Sequence, residues 1–303
     1  MIELNRDSEE LLNKNWDAVI VGGGMVGAAA ALGLAKNDMD VLLLERVPVD
    51  LDWDERKPFQ VRVSALTRAS EKILRNLDAW KGIEKRRYHP FTAMHVWDEI
   101  TPGEVTFSAQ DMSEDNLGYT VENEVIQASI WEQLHNQDGV SVLFGAEIKD
   151  VFIAENEAEL SLQGIGCVKT ELLIGADGAF SNIRKLAHIG LETHDYEQCA
   201  VVGCVKTELS HEDTCWQRYT KDGPFAYLSM DQNVSSIAWY LPTEKMEWAL
   251  SLSDEEFAKE ISKASDYRLG QVIQVAERGA FPLVRRHAEH YVKPHLALIG
   301  DAA

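Results

Sequence analysis

Six residues constrain this chain more than any others: Gly22-Gly23-Gly24-Met25-Val26-Gly27, set between an apolar run and a stretch of small residues. Asp17 to Val21 is apolar and β-branched, as a buried parallel strand requires, and Ala28 to Lys36 reads as a helix. In a Gly-x-Gly-x-x-Gly turn, Gly22 lets the chain reverse tightly and Gly24 lets the backbone approach a pyrophosphate. Gly27 lets helix and strand pack closely. The helix N-terminus offers unpaired N–H groups and a partial positive charge to phosphates. A second strand, Val41 to Leu44, ends on Glu45, 18 residues past Gly27, where a carboxylate meets a ribose hydroxyl pair. Together these elements predict a dinucleotide-binding βαβ unit.

The rival reading takes Ala18 to Ala35, which carries no charge, as a membrane span. Five of those residues are glycine, three of them consecutive, and Asp17 and Lys36 bracket the stretch. A strand followed by a tightly packed helix explains it better, so no membrane span is expected. At 303 residues and 45% hydrophobic content the chain can bury a large core, in about two domains. Its net charge of −21 argues against nucleic-acid binding and against direct docking on an anionic membrane. Met1 to Asn15 is acidic and polar, neither a secretory signal nor a basic transit peptide, so a cytoplasmic location is the default.

Cys167, Cys199, Cys204 and Cys215 lack CxxC or zinc spacing and read as reduced thiols, mostly buried. His287, His290 and His295 have no acidic ligand pattern around them, so no metal site is expected. There is no nucleophile-elbow or Ser-His-Asp signature, internal repeat or low-complexity tract.

Beyond the first unit the pattern is α/β but discontinuous. Val63 to Leu77 reads as a helix following a loop that contains Arg62. Ala93–Trp97 and Glu104–Phe107 alternate as a hairpin around Pro102-Gly103. Asn123 to His135 is helical by periodicity, and Ser141–Phe144 and Leu172–Ile174 are further buried strands. Cys199 to Trp239 suggests several short, aromatic-rich strands, and Asp254 to Ser265 an acidic amphipathic helix with a solvated outer face. Leu296–Ile299 is a last strand, ending on Gly300 and Asp301.

Here the residues carry a family resemblance. Leu173-Ile-Gly-Ala-Asp-Gly-Ala-Phe-Ser-Asn-Ile-Arg184 is similar to the Asp-Gly motif of the group A flavoprotein aromatic hydroxylases, and Gly300-Asp301-Ala-Ala303 to their Gly-Asp motif. Val61–Leu66, Val121–Asn123 and Ala280–His287 resemble the ubiquinone-biosynthesis hydroxylases within that group. Trp216 to Pro224 is most similar to the branch acting on demethoxyubiquinol. The resemblance covers the chain from residue 16 onward.

The resemblance implies an α/β, p-hydroxybenzoate hydroxylase-like fold: a Rossmann-type FAD-binding domain with an inserted strand-rich substrate domain. Residues 14–86, 119–186 and 281–303 would form the first, 87–118 and 187–280 the second, with residues 1–13 a flexible N-terminus. It implies FAD as cofactor and NAD(P)H as co-substrate. The reaction implied is ring hydroxylation of a prenylated quinol or phenol by O₂, through a flavin C4a-hydroperoxide, with the protein excluding water. Asp177 and Gly178 would hold the nucleotide, Gly300 and Asp301 the ribityl chain, and Arg62 and Asn123 would lie near the flavin, beside Gly22, Gly24, Gly27 and Glu45 of the first turn. No residue identifies itself as a catalytic base. Candidate substrate-lining aromatics are Trp97, Trp216, Tyr219, Phe225, Tyr227, Trp239 and Phe281.

Family members continue past the Gly-Asp motif into a helix facing the flavin, whereas this sequence stops at Ala303. The resemblance therefore also implies a C-terminally truncated hydroxylase that binds FAD weakly or not at all and is inactive alone. Two further readings accompany it: a related flavoprotein acting on another aromatic, and a non-catalytic subunit of a ubiquinone-biosynthesis assembly held at the inner-membrane periphery by partners.

Overall fold

The computed structural model describes residues 11–303, so the expected flexible segment 1–13 lies for the most part outside the described residues. Strand β1 (Asn15–Val21) is central to a parallel arrangement. It pairs with β2 (Val41–Glu45) on one side and β11 (Gly166–Gly175) on the other. Beyond them lie β8 (Val140–Phe144) beside β2 and β18 (Leu296–Leu298) beside β11, also parallel, with the short β17 (Val292–Lys293) antiparallel to β18.

Both faces of this sheet are covered, which is why its strands read as continuous apolar runs rather than alternating ones. Ala18, Ile20, Val41 and Leu43 pack against helix α1 (Met25–Ala35) and the helices beyond it. Val19, Val21, Leu42 and Leu44 pack on the other side, against the antiparallel strands β9 (Ile148–Ile153) and β10 (Ala158–Leu162). Among the described residues no helix is long and apolar enough to cross a membrane.

The helix expected over Val63–Leu77 is corrected. Val63–Thr67 is strand β3, and only Arg68–Asn76 is helical (α2). Tertiary pairing decides this: β3 lies antiparallel to β7 (Gly118–Glu122), from Val63 opposite Glu122 to Thr67 opposite Gly118. Thr67 then caps α2, its hydroxyl accepting the Ser70 N–H at 3.3 Å. Helix α3 (Trp80–Glu84) follows, β4 (His89–Phe91) completes this three-stranded sheet, and helix α4 (Asn123–Leu134) leaves the end of β7.

The strand-rich insertions form one seven-stranded sheet. Its order runs from β16 (Val272–Ala288) through β12 (Leu191–Thr207), β15 (Val234–Pro242), β14 (Gly223–Asp231) and β13 (Thr214–Thr220) to β5 (Ala93–Asp98) and β6 (Glu104–Ser108). The two insertions meet where β5 pairs in parallel with β13. Instead of only short strands, β12 and β16 are each 17 residues long. Strand β16 passes residues 280 and 281 without a break, so the backbone marks no boundary there.

Register assigns the sheet two chemically different faces. One buries Val201, Phe225, Tyr227, Ile237 and Trp239 against α6 (Met246–Ser251) and α7 (Asp254–Ala264), through Phe257 and Ile261 of the latter. The acidic side of α7 faces solvent, and its N-terminus carries a Ser253–Glu256 capping box. The opposite face is half-buried and carries mostly small or aliphatic side chains in cross-strand register: Val202, Ala238, Ala226, Gln217, Val96.

At the junction of the sheets, the buried His211 ring accepts the Asp213 N–H at Nδ1 (3.1 Å), while His89 Nε2 lies 2.8 Å from the Asp213 carboxylate. With Nδ1 accepting, the neutral His211 ring carries its proton on Nε2, an inner atom with no hydrogen-bond partner. This His89–His211–Asp213 group is therefore ordered by its own hydrogen bonds, and a metal on Nε2 would have to displace that proton. Burial, and then the neighbouring His89, push the His211 pKa down to about 4. Unfolding restores a value of about 6.5, so the unfolded chain binds the extra proton and stability falls as pH drops from that value through the folded one. His211→Gln should flatten this limb, removing up to about 3 kcal/mol of the loss between neutral pH and pH 4. Denaturant unfolding of both proteins across that range checks it; parallel slopes would refute it.

Candidate cofactor and active site

The carboxyl ends of β2, β1, β11 and β18 deliver Glu45, Gly22, Ala176 and Gly300 side by side, the crevice in which open α/β sheets bind ligands. The loops after β1 and β11 are packed backbone to backbone. Ala176 N donates to Val21 O at 2.8 Å, and a Cβ on Gly22 would stand 2.4 Å from Ala176 O. Gly22 also has φ of +103°, which a side chain would strain. A Cβ on Gly27 would lie 1.9 Å from Gly22 O, so this glycine lets α1 start directly beneath the turn. Gly24 is different: nothing lies within 4 Å of its missing Cβ.

That open space belongs to a cleft of about 650 Å³ lined by Gly22, Gly24, Glu45, Asp177, Gly178 and Phe180, among others. Five predicted residues are thus brought to one cavity. Gly178 resembles Gly24: its φ is +82° and its missing Cβ faces open space. Backbone exposed at these two positions is what a close-lying pyrophosphate needs, so the cleft fits a dinucleotide.

The acidic residues are already engaged. One Glu45 oxygen accepts the Gly23 N–H, and the other accepts Arg46 N–H at 2.7 Å and Val47 N–H at 3.2 Å. A carboxylate has about four acceptor sites, which leaves capacity for a ribose hydroxyl. Asp177 accepts the Ser181 hydroxyl on one oxygen, and Asn182 N–H (2.6 Å) and Ile183 N–H (3.1 Å) on the other, capping helix α5 (Asn182–Leu186). These bonds fix the loop that presents Gly178.

The other predicted residues stand outside that cleft's lining. Asn123 is the first residue of α4; its N–H donates to Arg62 O at 3.0 Å and its side-chain oxygen accepts the Ser64 hydroxyl at 2.6 Å. The Arg62 guanidinium lies 5.7 Å from the Phe281 ring centroid, at the half-buried face of the large sheet. Gly300, at φ +59°, opens the final turn, with Val26 of α1 3.3 Å from its missing Cβ. Asp301 beside it is exposed.

Two anchoring side chains escaped sequence reasoning, and a third, Arg184, was visible only as the end of the Asp-Gly motif. Trp131 Nε1 and Gln127 Nε2, from α4, both donate to Gly23 O, at 2.8 and 3.0 Å, and clamp the glycine turn from behind. Their spacing of one helical turn was the available signal. Arg184, part of the Asp-Gly motif, is buried and donates to Ala302 O (2.8 Å) and Ala179 O (3.0 Å), tying that motif to the Gly-Asp turn.

The proposed substrate-lining aromatics are largely corrected. Trp216, Phe225, Tyr227 and Trp239 belong to the helix-covered side of the large sheet, and Trp97 pairs in register with Arg218 on that side. Trp97 and Trp216 there both meet the Arg268 guanidinium, 5.4 and 4.7 Å from their ring centroids. Tyr219 and Phe281 alone fall on the face that meets Arg62.

Two glycine variants separate fold from cofactor. Gly24→Val should keep the parent Tm yet lose FAD, because its side chain enters only the cleft. Gly22→Ala should lower Tm by several degrees as it meets Ala176 O. Melting curves and flavin absorbance check both; FAD retained at full stoichiometry by Gly24→Val would contradict the site.

Comparison with known proteins agrees with this geometry. Residues 15–303 match the family model described as an FAD binding domain. The chain is 36% identical over 293 residues to the 3-demethoxyubiquinol 3-hydroxylase of Escherichia coli (strain K12), covering 97% of this chain and 74% of that protein. It is 30% identical over 335 residues to the mitochondrial ubiquinone biosynthesis monooxygenase COQ6 of Homo sapiens, covering 95% and 71%. Among solved structures it resembles pqsL, a probable FAD-dependent monooxygenase from Pseudomonas aeruginosa, with a TM-score of 0.77 over 95% of this chain and 79% of that one. At 17% identity that likeness speaks for the fold alone. The cleft, its exposed glycines and these matches lead to one conclusion: this chain belongs to the FAD-binding monooxygenase family, with FAD as its cofactor.

Proposed function

We propose that this protein hydroxylates the ring of a prenylated quinol or phenol in ubiquinone biosynthesis, with NAD(P)H and O₂ as co-substrates. The observation that carries the reading is the half-buried face of the large sheet. It is paved with Val202, Ala238, Ala226 and Val96, and it abuts the segment bearing Arg62. Such a surface suits an apolar aromatic substrate held against a cofactor. The identity to the Escherichia coli hydroxylase supports the substrate class.

The chain's own residues divide the work. The turn Gly22-Gly24-Gly27 and the start of α1 bind the pyrophosphate, and Glu45 binds the ribose. The loop of Asp177 and Gly178 and the turn of Gly300 and Asp301 hold the nucleotide and ribityl portions, joined by Arg184. Arg62 and Asn123 orient the flavin ring. Bound flavin supplies electron transfer from NAD(P)H and activation of O₂; the protein contributes orientation and exclusion of water. One oxygen atom of O₂ enters the ring and the other leaves as water. Segments 14–86, 119–186 and 281–303 serve the nucleotide, and 87–118 with 187–280 the substrate. With a net charge of −21, the protein receives its lipid substrate through partner proteins rather than by direct docking on anionic lipid.

Incubation with FAD, NAD(P)H, ¹⁸O₂ and a short-chain prenylated quinol should give a product carrying one labelled oxygen by mass spectrometry. Ala226→Phe should reduce kcat/KM by at least about tenfold by filling the apolar face, with FAD content unchanged. Turnover by Ala226→Phe at the parent rate would remove that face from the substrate site.

A further inference from the structure

The segment Lys57 to Arg62 has no helix or strand of its own, yet it carries Arg62 to the sheet face. Irregular backbone must find its hydrogen-bond partners elsewhere. Five of its backbone groups find such partners. Gln60 N–H donates to the Glu122 carboxylate at 2.8 Å, and the Cys204 thiol donates to Gln60 O at 3.6 Å. Arg87 donates to Lys57 O at 3.1 Å and Pro58 O at 3.4 Å. Asn123 N–H closes the series on Arg62 O.

Arg87 and Glu122 also grip one another through two parallel bonds, 2.7 and 2.9 Å. The Arg87 plane covers Phe59, 3.9 Å from its centroid, and reaches Trp53 at 5.1 Å. Glu122 is fully buried. A buried ion pair of this kind gives little net stability over an apolar pair of equal volume. What an apolar pair cannot do is aim a carboxylate at one amide and a guanidinium fork at two carbonyls. Cys204 belongs to the large sheet, so the same device ties that sheet to the nucleotide-binding half. Burial first, and then the Glu122 charge, push its thiol up to about 12, which keeps the S–H available as a donor at neutral pH.

We propose that Glu122, Arg87 and Cys204 are positioning residues that hold Lys57–Arg62 in the one conformation presenting Arg62 to the flavin. The proposal rests on the functional reading above, in which FAD and substrate meet at this segment. The test replaces the pair by apolar residues of similar size, Arg87→Met with Glu122→Leu, so that no unpaired charge is left buried. Leu74→Ala, on the buried side of α2, serves as a control that lowers Tm without touching the segment.

In nucleotide-free protein, trypsin should cut the Arg62–Val63 bond of the double variant about tenfold faster than that of the parent. Its Kd for FAD should rise by about tenfold or more. Its Tm should stay closer to the parent's than that of Leu74→Ala. Parent-like protection together with a Kd within twofold would overturn the proposal. So would equal acceleration of the same cleavage in Leu74→Ala, which would make the effect one of general stability. Neither readout uses the quinol, so absent turnover in the parent would count against the substrate reading and leave this proposal to be decided on its own.

Discussion

The structure depends on how closely two backbone loops approach at the carboxyl end of the parallel sheet. Gly22 sits against Ala176 with no room for a Cβ, and Gly27 sits against Gly22 in the same way. That packing brings the start of α1 and the Asp-Gly loop to opposite sides of one cleft, with bare backbone facing it from both. Nothing polar in the cleft could be placed so well if the loops were even one methyl group further apart. The supporting contacts follow from this approach: Trp131 and Gln127 pin the turn from α4, and Arg184 pins the Asp-Gly loop to the last turn of the described chain.

The second organising fact is the parity of the large sheet. Because side chains alternate, one residue of register decides whether an aromatic joins the core beneath α7 or the face near the cofactor. Phe225, Tyr227 and Trp239 fill the core, and the small residues between them leave the other face low and open. The architecture thus separates stability from recognition on two sides of a single layer.

The two halves meet through the irregular segment before β3. Its ties come from β7, from Arg87 two residues before β4 and from β12, so its shape records the arrangement of both halves at once. A segment with no internal hydrogen-bonded structure becomes precise because its surroundings over-determine it.

The amino-acid sequence by itself determined the elements whose cause is local. A glycine turn between an apolar run and a small-residue helix has one efficient solution, and Glu45 after the second run has one natural position. Asn123–Leu134 was legible from its periodicity, and the Asp-Gly and Gly-Asp motifs from their resemblance to a family. Tertiary structure alone decided what depends on distant partners. Val63–Thr67 became a strand because β7 offered it an edge, although its composition also suits a helix. The aromatics were divided between two faces by pairing register, which composition does not encode. Arg87 and Cys204 carry no motif and Glu122 was visible only as the middle of Val121–Asn123, so only the folded chain brings their charge, fork and thiol onto one short loop. Local propensity acts within a few residues, whereas pairing and burial act between segments far apart in the chain, and the site required both.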